Sequence, residues 1–268
     1  IRFSADDRLL ADGDQSGSRL LGAITEQIGL TYRAGPALLF TSYATGFETP
    51  TTTELVNRPE GGGGFNPDLE PQKTAGLEIG ARGVVRNLLF DIALYTMRVR
   101  DGLAPFEGAT GQTFFANRLR TSHRGAEAFV EWQPAEALTA SASYSWSRLR
   151  IAEGELEGNV LPGVPEHRLA ARLRLAREGF FLTPEVSARS ALFTDDANSA
   201  RTDAALTVDL TLGHDGIPVG RATLLPFLRL TNALGSETVG SVAINAFGGS
   251  SFEPAPGRAL VVGLSARL

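Results

Sequence analysis

Three histidines, His123, His167 and His214, are the first candidates for chemistry in this chain of 268 residues. They lie far apart in sequence, and with no Cys beside them a histidine- or thiolate-built metal centre is not expected. Their simplest reading is as loop or turn residues. Ser251 with His214 and Asp215, or Ser190 with His167, could be written as a nucleophile and its base. No GxSxG turn accompanies either set, so no catalytic residue is assigned and the chain is not expected to be an enzyme. Asp195-Asp196 and Glu153, Glu155 and Glu157 offer hard oxygen ligands, but they read better as solvated loop charge. No metal or cofactor is expected. Arg168, Arg172 and Arg174, with Arg148 and Arg150, could form a cationic stripe that attracts an anionic chelate; ordinary pairing with acids explains them equally well.

Composition narrows the classes further. Lys+Arg 25 against Asp+Glu 30 gives a net charge of −5, with no basic block of the kind that neutralises phosphates, so nucleic acid is not an expected partner. The absence of Cys removes disulfide frameworks and thiol redox chemistry. No stretch approaches the ~18–20 apolar residues of a membrane-spanning helix. A transmembrane β-barrel stays open, because its strands turn only every second residue to lipid. Ile1–Arg8 has neither a basic nor an apolar leader segment and reads as the end of a strand entering a loop. A fragment of a longer chain is expected.

The elements that must position these residues are strands. Period-two alternation places Ala140, Ala142, Tyr144 and Trp146 opposite Ser141, Ser143, Ser145 and Ser147. Leu206, Val208, Leu210 and Leu212 share a face, as do Leu169, Ala171, Leu173 and Leu175, against Arg168, Arg172 and Arg174. Leu260–Leu268 alternates in the same way. Pro36–Phe47 and Asn87–Arg100 alternate poorly but are still read as strands. Short turns are expected at Ala34–Pro36, Val85–Asn87, Pro134–Ala137, Arg177–Gly179 and, somewhat longer, His214–Gly220. Long loops are expected at Asp6–Ser18, Glu48–Lys73 (which includes Pro59 and Gly61–Gly64), Asp101–Gln112, Ile151–Glu166, Thr194–Thr202 and Gly235–Pro256. Short and long connections alternate, as in an outer-membrane barrel with tight turns at one end and long loops at the other. The expected fold is all-β, an antiparallel up-and-down transmembrane barrel with about 12 strands present. Paired charges such as Glu127 and Glu131 suit a hydrated lumen, while Trp132, Tyr144 and Trp146 suit an interfacial aromatic belt.

Ser42-Tyr43-Ala44-Thr45-Gly46-Phe47-Glu48-Thr49-Pro50, then Glu54-Leu55, then Asn66-Pro67-Asp68-Leu69-Glu70-Pro71-Gln72-Lys73-Thr74, resembles a strand–loop–strand element of the TonB-dependent outer-membrane receptors. Gly76–Gly80, Arg124–Glu127, Leu230–Leu234 and Pro256–Arg258 resemble later segments of the same barrels. Gln72 and the terminal Leu268 depart from the usual Glu and aromatic residue. The resemblance implies a C-terminal portion, residues 1–268, of a 22-stranded barrel whose plug domain and TonB-contacting segment lie elsewhere. It further implies a Gram-negative outer-membrane location, outer-membrane lipid and TonB as partners, and a ferric siderophore or similar iron complex as cargo. No ligand-contacting residue is assigned. A self-contained 12-stranded barrel, an autotransporter translocator or passive porin, is the alternative, but it gives no reason for the Ser42–Thr74 element.

Overall fold

A computed structural model of the chain describes residues 2–3, 16–56, 58, 65–107, 113–246 and 252–268. Pro59, Gly61–Gly64, Ser251 and most of the Asp6–Ser18 loop lie outside the described residues. The strands are β1 (Arg2–Phe3), β2 (Gly17–Ser18), β3 (Gln27–Ala34), β4 (Ala37–Glu48), β5 (Gln72–Val85), β6 (Leu88–Glu107), β7 (Thr113–Ala135), β8 (Leu138–Ile151) and β9 (His167–Arg177). They continue as β10 (Phe180–Arg189), β11 (Leu192–Phe193), β12 (Arg201–Thr202), β13 (Ala205–His214), β14 (Ile217–Val219), β15 (Ala222–Thr231), β16 (Val239–Val242), β17 (Phe252–Pro254) and β18 (Ala259–Arg267). One helix, α1 (Thr52–Val56), joins them.

One sheet of twelve strands dominates, in the order β14-β15-β13-β10-β9-β8-β7-β6-β5-β4-β3, with β18 on the other side of β15. Every pairing in it is antiparallel. The number is the expected one, reached by a different route. The first strand, β1, pairs with β2 outside this sheet, and the His214–Gly220 turn contains a short strand of its own, β14. Two-residue connections close the β3–β4, β5–β6, β7–β8, β9–β10 and β14–β15 hairpins. Gly35, Arg86, Glu178, Gly179 and Gly220 carry the positive φ that such tight hairpins need. The longer connections all lie at the other end.

Two expectations about the connections need correction. Asp101–Gln112 is mostly strand: β6 runs 20 residues and β7 runs 23, and their pairing continues from Gly102↔Leu119 out to Glu107↔Thr113. Register shifts around Val99 and Gly102, with Asp101 at φ 58, absorb the irregularity that makes this segment look like a loop. The Glu48–Lys73 connection contains α1, which begins with a reciprocal cap. The Glu54 amide donates to Thr51 Oγ1 at 3.4 Å and the Thr51 amide donates to Glu54 Oε2 at 2.6 Å. Thr51-x-x-Glu54 is the sequence signal for this cap.

Register fixes the two faces. Tyr32, Leu39, Ala81, Ile92, Ala128, Tyr144, Leu169, Ala188 and Leu206 form one unbroken cross-strand row, apolar or aromatic throughout. This face is open: Tyr32 is 69% exposed, Leu94 54% and Leu264 66%. On the opposite face the neighbouring row is Phe40, Gly80, Ala93, Glu127, Ser145, Arg168 and Arg189. Among the described residues the buried hydrophobic side chains are Leu55, Leu69, Phe114, Ile151 and Leu192, all at the long-loop end rather than along the middle of the sheet.

Candidate functional site

The polar face is concave. Phe40, Glu78, Arg82, Asp91, Glu127 and Arg168, contributed by successive strands from β4 to β9, line a single cleft of about 570 Å³. A second, about 440 Å³, continues over β9–β18 and is lined by Arg172, Arg174, Phe181, Glu185, Asp215 and Arg229 among others. Strand alternation puts charge here, and neighbouring strands pair it. Arg229 bridges Glu185 at 3.0 Å and Asp209 at 2.8 Å, while Arg172 approaches Glu185 at 3.8 Å. One guanidinium nitrogen of Arg174 donates to both carboxylate oxygens of Asp215, at 2.6 and 2.7 Å, and the guanidinium lies 4.0 Å over the Phe181 ring.

Small residues let large rings lie flat along this wall. Phe40 covers Gly80, Tyr95 covers Gly125, Phe181 covers Gly213 and Phe227 covers Gly263, each ring facing its directly paired glycine. Tyr95 reaches past Gly125 on β7 to Ser147 on β8, with the two hydroxyls 3.0 Å apart.

Ser190 does not meet the His167 ring, and Asp215 pairs with Arg174 rather than with His214; Ser251 lies outside the described residues. His167 opens β9, and its ring Nδ1 lies 2.8 Å from the Tyr144 hydroxyl, with the rings stacked. Ser190 Oγ accepts the His167 backbone amide rather than meeting the imidazole. His214 ends β13, where its Nδ1 accepts the Gly216 amide and its ring meets Phe180 edge-on. His123 sits within β7, Nε2 2.9 Å from Thr121 Oγ1. The histidines are therefore strand residues, not loop or turn residues: each satisfies its ring locally at a strand position where polar and aromatic neighbours are available. Among the described residues no three or more His, Asp and Glu side chains come together as a metal-binding group. Glu153 pairs with Arg120 at 2.5 Å, and Asp196 Oδ2 accepts the Asn245 amide nitrogen.

The arginine stripe is divided. Arg168, Arg172 and Arg174 belong to the concave face, as their cross-strand partners require. Arg148 and Arg150 share parity with Tyr144 and Trp146 and lie on the open face, opposite Arg124 and Ser122.

At the long-loop end, the Asn66–Pro71 segment forms a knot in which Asn66, Leu69 and Pro71 are buried. Asn66 is 4% exposed, its Oδ1 accepts the Asp68 amide at 3.0 Å, and its own amide donates to the Leu55 carbonyl. Arg19 donates to the Asn66 and Leu69 carbonyls and pairs with Glu70 at 2.9 Å. Asn117 on β7 bonds both the amide and the carbonyl of Glu70. The segment therefore shapes the loop from inside. A second knot joins three more connections: the Val160 amide donates to Asn198 Oδ1, and Asn245 Oδ1 accepts the Asp196 amide. Asp195 Oδ1 and Oδ2 accept the Ser199 and Ala200 amides at 2.9 and 2.7 Å, and the Ser199 amide above all holds this carboxyl below its ordinary range.

Solved structures share this architecture. The ferric-catecholate import receptor Fiu of Escherichia coli K12 superposes with a TM-score of 0.69 at 19% identity, over 90% of this chain and 34% of Fiu. The siderophore receptor PiuA of Acinetobacter baumannii superposes at 0.74 with 15% identity, over 90% of this chain and 35% of PiuA. The copper transporter OprC gives 0.69 at 16%, over 90% and 39%. The chain thus spans a little over a third of each, and these likenesses are of fold. In sequence, the family described as TonB dependent receptor-like, beta-barrel matches residues 1–231. Its members and these neighbours are receptors and transporters, not enzymes. With a twelve-stranded antiparallel sheet, an open apolar face and a charged concave one, the chain belongs to the TonB-dependent receptor-like β-barrel family.

Proposed function

We propose that residues 1–268 form the C-terminal portion of an outer-membrane receptor that imports a ferric siderophore or similar iron complex, energised through TonB. The observation that carries this reading is the two-faced sheet of a chain whose residues 1–231 match that family. Its apolar face suits lipid, its charged face a hydrated lumen, and its long connections gather at one end as extracellular loops do. Two of the three structures described above are named for siderophore or ferric-catecholate import, which supports iron-complex cargo. Transport of this kind needs no resident cofactor; the chelate is cargo.

The strand edges favour this reading over a self-contained barrel. β3 and β18 border the sheet, and among the described residues neither has a strand on its outer side. Ten antiparallel steps separate them, so they run the same way and cannot close on each other antiparallel. Cells that carry the intact protein as their sole iron receptor should accumulate radiolabelled ferric chelate, and deletion of TonB should abolish uptake. Uptake that persists without TonB would favour a passive pore.

A further inference from the structure

Three connections at the long-loop end hold one another: 152–166 between β8 and β9, 190–204 between β10 and β13, and 232–258 between β15 and β18. The middle connection bonds both of the others. Toward the first, the Val160 amide donates to Asn198 Oδ1 at 2.7 Å, and Asn198 Nδ2 donates back to the Val160 carbonyl at 2.8 Å. Asn159 Nδ2 donates to the Asp196 carbonyl at 2.9 Å, and the Gly163 amide donates to the Phe193 carbonyl at 2.8 Å. Toward the third, Asn245 Oδ1 accepts the Asp196 amide at 3.0 Å while Asn245 Nδ2 donates to Asp196 Oδ2 at 2.8 Å. The Asn245 amide also donates to the Thr194 carbonyl at 3.0 Å. The first and third connections meet directly, since a Cβ at Gly163 would lie 2.9 Å from Ile244 Cδ1.

These bonds do for the loops what a ladder does for strands. The side chains of Asn198 and Asn245 each give a donor and an acceptor to a neighbouring connection. Below them, Leu192, Thr194 and Thr202 are buried. Arg189 on β10 donates to Thr202 Oγ1 at 3.2 Å and to the Val239 carbonyl at 3.5 Å, tying the second and third connections to the strand wall. Withdrawing one connection leaves polar groups of its neighbours unpaired, several of them half-buried, and each lost bond carries its own cost. Segments linked in this way open as a contiguous unit rather than singly.

We infer that these three connections open and close only together, so that the β8–β15 side of the long-loop end is one preassembled rim and not a set of independent loops. Cargo then meets a rim already built, and any movement of one connection carries the other two. Placing the rim at the cargo entrance rests on the receptor reading above. The coupling is tested without cargo and the receptor reading by uptake, so the two fail separately.

The test is hydrogen exchange of the intact protein in detergent micelles, resolved to single amides. Asn245 and Asn198 hold φ of 55° and 57°, so replacement by Gly deletes their side-chain bonds without straining the backbone. Asn245→Gly should speed exchange about fivefold at the Asp196 amide. The same factor is expected at the Val160 and Gly163 amides, whose own acceptors on Asn198 and Phe193 are unchanged. Asn198→Gly should likewise speed exchange at the Asn245 amide. A rise confined to Asp196 in Asn245→Gly, with Val160 and Gly163 at parental rates, overturns the inference, because the connections then open one at a time. Asn232→Gly controls for general loosening: the Asn232 side chain bonds Ser236 within its own turn, and its loss should speed exchange at Ser236 without reaching Val160 or Gly163. An equal rise at Val160 and Gly163 in this variant overturns the inference by assigning the effect to the barrel as a whole.

Discussion

Where the Tyr95 ring crosses Gly125, a missing methyl group sets how closely three strands pack. A Cβ at Gly125 would fall within van der Waals contact of Tyr95 Cζ and of the Trp146 carbonyl oxygen, and the carbonyl belongs to the backbone and cannot turn aside. Gly125→Val should therefore destabilise the intact protein by about 1–3 kcal/mol, the usual cost of overpacking. Tyr95→Phe, which removes only the contact with Ser147 Oγ, should cost about 0.5–1.5 kcal/mol. Denaturant unfolding followed by tryptophan fluorescence measures both, and a Gly125→Val protein as stable as the parent would refute this account of the wall. Arg229 shows the same economy with charge: one guanidinium answers Glu185 and Asp209 on two neighbouring strands.

At the level of elements, the loops hold themselves through side chains that imitate backbone. Asp195 closes the turn between β11 and β12 by accepting the Ser199 and Ala200 amides. Because those bonds favour the carboxylate, its pKa in the folded protein lies below that in the unfolded chain. The stabilisation is thus complete above the unfolded carboxyl pKa and disappears as pH falls through the lower folded value. Hydrogen exchange of the Ser199 and Ala200 amides, corrected for intrinsic rates, should show constant protection from neutral pH into the ordinary carboxylate range and a loss only below it. Asp195→Asn should flatten that pH dependence; an unchanged profile in this variant would assign the protection to another group. The Asn66–Pro71 knot is built on the same plan, with Arg19, Asn66 and Asn117 supplying bonds that no strand partner supplies.

Over the whole molecule, the accessible surface is 17382 Å², whereas a compact monomer of 28.4 kDa has about 11,000 Å². The excess is the two uncovered faces and edges of a sheet that encloses no core of its own. Counting β13 and β14 as one interrupted span leaves eleven spans from the twelve strands, with β3 and β18 parallel in direction. Closure into an all-antiparallel barrel then requires an odd number of further strands between those edges. Residues 1–268 expressed alone should accordingly fail to give the compact, heat-modifiable band of a closed barrel on detergent gels, while the intact protein gives it. A compact band from the isolated piece would show that the edges close without added strands.

Much of this was legible from the amino-acid order because it follows from local rules. Period-two alternation is a property of the extended backbone, so Ala140–Trp146 and Leu206–Leu212 declare their faces without neighbours. Tight turns at Gly35 and Gly179 announce themselves through the positive φ they need, and Ser42–Thr74 pointed to the family. The cap at Thr51 and Glu54 was readable but is easily overlooked in a loop rich in Thr and Gly. Other features depended on pairing between distant segments. The β6–β7 hairpin extends through Asp101 because a bulge restores its register, and a bulge depends on the partner strand as much as on the residues within it. The division of Arg148 and Arg150 from Arg168, Arg172 and Arg174 became evident from cross-strand register. Which face is concave was decided by the tertiary structure alone, since alternation separates two faces but only hydrogen bonding and twist summed over many strands can bend one of them inward.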